Sequence, residues 1–370
     1  MDLSVRKSDL LGELQFFQGV IERKNTIPIL ANVLVEAGSD GTLKLLATDL
    51  ELGLRSQCKA LVKKPGELTL PAKKLFEIVR ELPETDIRIK QDGEKNQVTI
   101  TADQFKSRIQ TLPKTEFPDV PKPPNVNPVS LLREELHLMV SRTQFAITGE
   151  DTRYFLNGAL FVLKTNSMDL VATDGHRLAL ATTSREKEEI EETRTIFPKK
   201  TLIELSKLLA DSKNKDISYE CGEAHLFFRV DGRELISRMI DAQFPAFERV
   251  IPKGNDKRIE FDRDRLTSAI KRVRLLSSER SQAVKMRLTD NQVEVRSESA
   301  EVGEATEELE VNYSGEEVEI CFNAQYVLDF LAVVNVDSVV LELKDEMSQA
   351  VMHPAGEETA YTYVIMPMRV

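Results

Sequence analysis

The feature that most constrains this sequence is an internal repeat with a period of about 125 residues. The segment Leu-Leu-Ala-Thr-Asp at 45–49 returns as Leu-Val-Ala-Thr-Asp at 170–174. A second segment, Pro-Ala-Lys-Lys-Leu at 71–75, returns as Pro-Lys-Lys-Thr-Leu at 198–202 and, more altered, as Asn-Ala-Gln-Tyr-Val at 323–327. Solenoid repeats are only roughly 20–50 residues long. The period therefore predicts three tandem copies of a whole domain, and it favours a symmetric scaffold because catalysis needs only one site.

Two stretches of turn-forming residues divide the copies. A proline-rich run covers 121–128, and Ile-Pro-Lys-Gly-Asn covers 251–255. Such runs are typical of linkers, and 370 residues suit two or three domains of ordinary size. We therefore predict domains at 1–125, 126–253 and 254–370.

Each copy shows two amphipathic helices among short strands, which is typical of an α+β domain in which antiparallel sheets carry a helical face. Ser8 is a good N-cap for the first helix, and apolar residues follow it at helical spacing. Helices are predicted at 8–21, 72–82, 130–144, 198–210, 262–277 and 323–334. Strands are predicted at 41–46, 51–60, 86–90, 97–101 and 105–112, with a last strand running through Val370.

Composition narrows the class of protein. Charged residues (30%) and hydrophobic residues (41%) are typical of a soluble globular chain, and no run approaches the ~18 apolar residues that span a bilayer. The N-terminus lacks the apolar core of a signal peptide. Cys58, Cys221 and Cys321 are too far apart to indicate a disulfide framework or a zinc cluster. A cytoplasmic protein with no membrane partner is the expectation.

The distribution of charge matters more than the net charge of −11. Taken alone, that value argues against tight binding of nucleic acid, which needs clustered Lys and Arg. The helix around 262–274, however, carries five basic side chains against two acidic ones, whereas acid is concentrated at 186–192 and 301–310. The simplest arrangement is a basic helical lining inside an acidic shell. The alternative is that these Lys and Arg residues are ordinary solvent-facing side chains of exposed helices, with no binding role.

Several motifs resemble the bacterial DNA polymerase III β subunit family, the sliding clamps. They are Asn-Gly at 157–158, Val-Ala-Thr-Asp-Gly-His-Arg-Leu-Ala at 171–179 and Tyr-Val-Ile-Met-Pro-Met-Arg-Val at 363–370. The opening helix and the segments 26–30 and 70–74 match as well, so the resemblance spans the chain. It implies three clamp domains per chain and a head-to-tail homodimer that forms a six-domain ring around duplex DNA. It also implies no catalytic residue, metal or cofactor.

Simple geometry favours a dimeric ring over a monomeric one. Suppose that two helices per domain line the hole, ~9 Å apart and each ~10 Å thick. The six helices of one chain then give a circumference of ~54 Å through their axes, and subtraction of the helix thickness leaves a hole only ~7 Å across. Twelve helices give ~108 Å and a hole of ~24 Å, enough for a duplex roughly 20 Å wide.

The resemblance also implies three sets of functional residues. DNA-facing positions are Lys24, Lys73 and Tyr154, whereas Glu150 replaces a neutral amide of a related clamp. The subunit interface comprises Ile109, Leu275 and Leu276. A peptide pocket comprises Leu156, Thr173, Gly175, His176, Arg177, Leu178, Pro245, Arg249, Val250, Asn323, Tyr326, Met347, Val364, Met366, Pro367, Met368 and Arg369.

The implied partners of the pocket are the DNA polymerase III α subunit, the clamp loader, and other polymerases and repair proteins with clamp-binding motifs. An apolar cleft suits the Leu and Phe side chains of such peptides, and Met adapts to differing ligands. Double-stranded DNA would be held without sequence readout, because a closed ring needs little affinity for it.

Other interpretations remain open at the level of sequence. The tail could be a last strand with Met side chains in the core, and Leu275 and Leu276 could simply be buried. Asp174 and His176 could form an acid–base pair on one face of a strand, although no nucleophile or metal motif accompanies them. A sequence-specific regulator is disfavoured because no helix-turn-helix or zinc finger is evident. A scaffold that does not bind DNA is the remaining alternative.

Overall fold

The computed structural model describes residues 1–21, 27–91, 96–125, 128–149, 151–186, 190–357 and 360–369. Its helices are α1 (Lys7–Val20), α2 (Ala72–Glu81), α3 (Arg133–Thr143), α4 (Lys199–Asp211), α5 (Arg263–Val273) and α6 (Ala324–Val333). Its strands are β1 (Asp2–Arg6), β2 (Asn32–Ala37), β3 (Thr42–Thr48), β4 (Leu52–Lys59), β5 (Leu61–Lys64), β6 (Gly66–Pro71), β7 (Asp86–Gln91), β8 (Gln97–Ala102), β9 (Phe105–Gln110), β10 (Val129–Leu132), β11 (Gly158–Leu163), β12 (Ser167–Thr173), β13 (Arg177–Ser184), β14 (Thr193–Pro198), β15 (Asp216–Cys221), β16 (His225–Val230), β17 (Arg233–Arg238), β18 (Lys257–Asp262), β19 (Ala283–Thr289), β20 (Gln292–Ser299), β21 (Gly303–Glu310), β22 (Val318–Asn323), β23 (Ser338–Leu343), β24 (Ala350–Pro354) and β25 (Tyr361–Ile365).

The chain divides into two compact units. The first comprises Met1–His137 and Lys200–Met239, and the second comprises Leu138–Lys199 and Ile240–Val370. The first unit contains a sheet of order β5-β1-β7-β8-β9 and a sheet of order β10-β15-β16-β17-β4-β3-β2-β6. The second contains a sheet of order β14-β11-β12-β13-β25-β24-β23-β18 and a sheet of order β21-β20-β19-β22. The predicted α+β class is confirmed.

Each eight-stranded sheet joins strands from two consecutive copies of the sequence repeat. In the first unit β17 pairs with β4, with Leu235 opposite Leu54. In the second unit β13 pairs with β25, with Leu178 opposite Val364. Because the sheets continue across the junctions between copies, the compact units do not follow the three predicted domain ranges, which remain a prediction.

The first helix follows its predicted apolar pattern but not its predicted cap. Leu10, Leu14 and Phe17 are fully buried at helical spacing. Ser8 is not the N-cap: the helix begins at Lys7 after Arg6, which makes no capping hydrogen bond through its side chain. The reason is that β1 pairs with β7 as far as Arg6 and leads directly into α1, leaving no turn for a capping residue.

The third predicted helix begins later than expected. Residues 130–132 belong to β10, which pairs with β15, so α3 begins only at Arg133. Strand pairing here outweighs a helical pattern that the sequence shows from 130. The helices predicted at 72–82 and 198–210 are confirmed as α2 and α4 within a residue of each end.

Side-chain caps fix the two helices of the last copy. The Asp262 carboxylate accepts a hydrogen bond from the Arg265 N–H at 2.8 Å at the start of α5. The Asn323 side chain accepts hydrogen bonds from two N–H groups at the start of α6. Each cap contributes about 1 kcal/mol to the stability of its helix. Helix α5 ends at Val273, and a separate short 3₁₀ helix follows directly at Arg274–Leu276.

The chain ends differently from the prediction. Strand β25 stops at Ile365, and residues 366–369 form no strand, so the prediction of a last strand through Val370 is wrong. Val370 itself lies outside the described residues. In the part of the chain that the structure describes, no helix has both the length and the apolar character needed to cross a membrane.

Candidate functional site

An apolar cluster in the second unit is only partly covered. Its buried members are Leu160, Val162, Val171, Leu178, Ile196, Phe247, Val351 and Val364, and the partly buried side chains packed on it are Phe155, Leu180, Ile240, Phe244 and Ile251. The rings of Phe155 and Phe244 meet edge to face with their centroids 6.4 Å apart. We call these five partly buried side chains the apolar patch. Accessible apolar surface beside a closed core is typical of a docking site for an apolar ligand.

A tight turn joins β12 and β13, the strands that contribute Val171 and Leu178 to the buried cluster. The Thr173 hydroxyl donates to the Arg177 carbonyl at 2.6 Å and accepts from the Gly175 N–H at 3.1 Å. The Asp174 carboxylate accepts from the N–H groups of His176 and Arg177 at 2.9 and 3.0 Å. Gly175 has φ of 89°, which a residue with a Cβ rarely adopts.

The acid–base interpretation of Asp174 and His176 is wrong in its geometry. Both residues lie in this turn and not on one face of a strand, and His176 is exposed to solvent. Asp174 is engaged by backbone N–H groups and by the Arg177 side chain, with Nε to Oδ2 at 3.0 Å. Its role in the described structure is to shape the turn.

The same turn occurs in the first unit with different side chains. Thr48 and Asp49 make the equivalent four hydrogen bonds, at 2.6 to 3.0 Å, to residues 50–52. Leu50 takes the place of Gly175 at φ of 81°, and buried Leu52 takes the place of Arg177. The sequence repeat is therefore a structural repeat in these two copies, but the first copy has Leu52 where the second has Arg177.

The C-terminal tail is attached to the turn. The Met366 N–H donates to the His176 carbonyl at 2.9 Å, and the Met368 N–H donates to the Cys321 carbonyl at 2.7 Å. The Met366 side chain is 37% exposed. The alternative interpretation, a last strand with its Met side chains in the core, is therefore wrong, because the tail leaves the sheet after β25 with apolar side chains available to a ligand.

Arg177 lies at the centre of a dense polar and aromatic network. Its guanidinium donates to Asp329 Oδ2 at 2.5 Å and to the Phe145 carbonyl at 2.9 Å. It stacks over the Tyr326 ring, 4.2 Å from the centroid. Burial alone would lower the pKa of Arg177, but Tyr363, Asp329 and Asp174 outweigh it and raise that pKa. The arginine is thus a permanently charged, fixed element of the site.

All seventeen predicted pocket residues fall in the second unit, and bonds join several of them. Leu178 and Val364 face each other across β13 and β25 within the cluster. Asn323 caps α6, which carries Tyr326. Exposed Val250 precedes Ile251 of the patch. No described bond ties Met347 to the patch, since its N–H donates to Asp345 within the turn between β23 and β24.

Three residues that matter here were not among the predicted pocket residues. Asp174 stands inside the quoted motif, so its turn-forming role could have been read from the Thr-Asp-Gly sequence. Asp329 and Phe145 carry no local signal, because they are 152 and 32 residues from Arg177 and meet it only through the fold.

The predicted DNA-facing and interface residues are placed as follows. Lys73 is exposed on α2, Tyr154 is 73% exposed, and Lys24 and Glu150 lie outside the described residues. Leu275 is 74% exposed in the 3₁₀ helix after α5, so the alternative that it is buried in the core is wrong. Leu276 is half-buried, and Ile109 is mostly buried on the sheet-edge strand β9.

Comparison with known proteins decides the family. Domain profiles of the DNA polymerase III β subunit match in order along the chain: the N-terminal domain at 1–121, the central domain at 130–246 and the C-terminal domain at 248–369. The chain belongs to the DNA polymerase III β subunit family.

Relatives of this family match over their full length. The "Beta sliding clamp" proteins of Pseudomonas putida and Escherichia coli K12 are 37% and 35% identical over 372 residues, covering 100% of both chains. The Pseudomonas aeruginosa sliding clamp bound to griselimycin is 34% identical with a TM-score of 0.94 over 100% of both chains. A Caulobacter crescentus β sliding clamp is 33% identical with a TM-score of 0.95, covering 100% of this chain and 99% of that one. The predicted family and its three tandem clamp domains are confirmed.

Proposed function

We propose that this protein is a processivity factor, a sliding clamp that encircles duplex DNA and tethers the replicative polymerase. The observation that carries the proposal is the match of all three β subunit domains, in order, over the whole chain. The clamp acts as a tether and not as a catalyst, and it works in the cytoplasm. Its domains are those predicted at 1–125, 126–253 and 254–370.

The ring forms by head-to-tail pairing of two chains. Strands β9 and β21 each end a sheet and offer unpaired backbone groups to a partner. Exposed Lys106 and Arg108 on β9 are complementary in charge to exposed Glu308 and Glu310 on β21. Such a C2 arrangement joins β9 of one protomer to β21 of its partner twice. Ile109, Leu275 and Leu276 supply the apolar part of this interface.

Duplex DNA is held loosely and without base readout. Lys24, Lys73 and Tyr154 face the duplex in this proposal, together with cations of α5. Part of that positive charge is already neutralised, since Arg272 pairs with Glu307 at 2.5 Å. Weak phosphate contacts suit a sliding ring, because retention comes from topology and each strong ion pair would slow movement.

The apolar patch, the β12–β13 turn and the tail form the docking site for partner peptides. An apolar peptide side chain would cover Phe155, Phe244 and their neighbours, while Met366 adapts to different sequences. The partners we assign to it are the polymerase III α subunit, the clamp loader, and other polymerases and repair proteins with clamp-binding motifs.

Primer extension tests this function. On a primed circular single-stranded template, with replicative polymerase and clamp loader from the same organism and excess trap DNA, the protein should lengthen products at least about tenfold in one binding event. The reason is that a tether replaces repeated bimolecular encounters by a high local concentration. A free peptide from the α subunit should shorten the products again. Products of unchanged length with and without the protein would contradict the proposal.

A further inference from the structure

Asp329 on α6 joins two groups that come from different parts of the second unit. One carboxylate oxygen accepts from the Arg177 guanidinium at 2.5 Å, and the other accepts from the Gln325 side-chain amide at 2.6 Å. Gln325 in turn accepts from the Arg274 guanidinium at 2.8 Å. The Asp329 carboxylate is therefore held from both sides, with little freedom to turn away from Arg177.

Arg177 depends on this carboxylate for its position. Its side chain is only 9% exposed, and its charge is balanced by Asp174 and Asp329. Asp174 comes from the same turn as Arg177, whereas Asp329 ties the guanidinium to α6, the helix that also carries the Tyr326 ring. If one of these two carboxylates loses its charge, the positive charge of the buried Arg177 side chain is no longer balanced, which is energetically unfavourable.

The position of Arg177 sets the position of the apolar side chains around it. Its guanidinium lies over the Tyr326 ring at 4.2 Å and over the Phe145 ring at 5.2 Å. The Tyr363 hydroxyl donates to the Tyr326 carbonyl at 2.9 Å, which fixes α6 to β25 on the same side. Arg177 is also the first residue of β13, next to Leu178 of the buried cluster.

We propose that Asp329 is a positioning residue for peptide docking, which holds Arg177 and Tyr326 in the arrangement that a bound peptide requires. This inference rests on the proposed function, because it names a residue that prepares the same docking site. Preorganisation of this kind lowers the entropy lost when a ligand binds. Asp329 acts through Arg177 and needs no contact with the peptide itself.

The test measures the affinity of a fluorescein-labelled α-subunit peptide for the full-length protein and its variants. Asp329→Asn keeps the shape but removes the charge, and it should weaken binding about tenfold, as expected for a lost charged hydrogen bond. The matched control Asp290→Asn removes the same charge from an exposed turn of the same unit and should bind within about twofold of wild type, because a distant exposed charge is screened.

A double-mutant cycle separates positioning from a general structural role. Arg177→Lys should weaken binding by itself, and Asp329→Asn should cost nothing further in that background, because the two residues act as a unit. A structural role would instead lower thermal stability in both backgrounds and leave the affinity of folded protein unchanged. If Asp329→Asn does not fold, Asp329→Glu is measured instead and should lose about threefold, since the charge remains but is displaced.

Wild-type affinity distinguishes the two possible failures. If wild type binds the peptide and a folded Asp329 variant binds it equally well, this inference is wrong and the proposed function stands. If wild type itself does not bind the peptide, the proposed docking function is wrong, and the inference about Asp329 is wrong with it.

Discussion

Removal of residues 366–370 is expected to reduce the affinity for a polymerase-derived peptide by about 100-fold or more, which is the effect of losing a central anchor of an interface. The deletion removes the exposed Met366 side chain and the two backbone hydrogen bonds that hold the tail to His176 and Cys321. It leaves β25 intact, since that strand ends at Ile365. The truncated protein should therefore remain folded and dimeric while peptide binding, measured by fluorescence anisotropy, is lost.

A pair of point variants isolates the contribution of the side chain. Met366→Asp places a carboxylate beside the turn and should weaken binding about tenfold or more, because a charge is poorly tolerated against an apolar ligand. Leu138→Asp changes a similarly exposed residue on α3, 45% exposed against 37%, and should bind as wild type does. Equal affinity of the truncated protein and wild type would show that the tail is not part of the docking site.

Leu275→Asp is expected to convert the dimer largely to monomer. Leu275 is 74% exposed in one chain and becomes buried in the proposed interface. An unpaired carboxylate in that interface costs several kcal/mol, so the dimer dissociation constant should rise by about 10²- to 10³-fold. The ring contains the interface twice, and the change therefore acts at both junctions. Light scattering at micromolar concentration should report a mass near 41.8 kDa for the variant and twice that value for wild type.

The matched control is Leu61→Asp. Leu61 is 65% exposed on β5, at the opposite edge of the sheet that ends in β9. Its substitution should leave the mass at the dimer value. Two results would contradict the proposed interface: a wild-type protein that is monomeric at these concentrations, or dimers of unchanged affinity for Leu275→Asp.

Local patterns predicted most helices and strands because burial and capping act over a few residues. Leu10, Leu14 and Phe17 are buried as their spacing indicates, and Asn323 caps α6 at the start of the helix that the repeat predicts. The failures occurred where strand pairing with distant residues decided the outcome. Ser8 does not cap α1, because β1 leads directly into that helix. Residues 130–132 form part of β10, which pairs with β15, and so they are not helical.

The site shows the same division between local and distant information. The Thr-Asp-Gly turn and the tail could be recognised as motifs, since their residues are contiguous. The contact of Arg177 with Asp329 spans 152 residues and depends on how β13, β25 and α6 pack. No sequence pattern marks it, because a single carboxylate on an amphipathic helix is more often a solvated residue.

Encirclement is tested most directly by retention on DNA of different topology. The protein, loaded onto a nicked circular plasmid, should remain bound through gel filtration in high salt, because a closed ring is released only when it opens. Linearisation of the same plasmid with a restriction enzyme should release it, since the ring can then slide off the ends. Equal retention on the circular and the linear plasmid, or dissociation from both as the salt concentration rises, would show that phosphate contacts and not topology hold the protein on DNA.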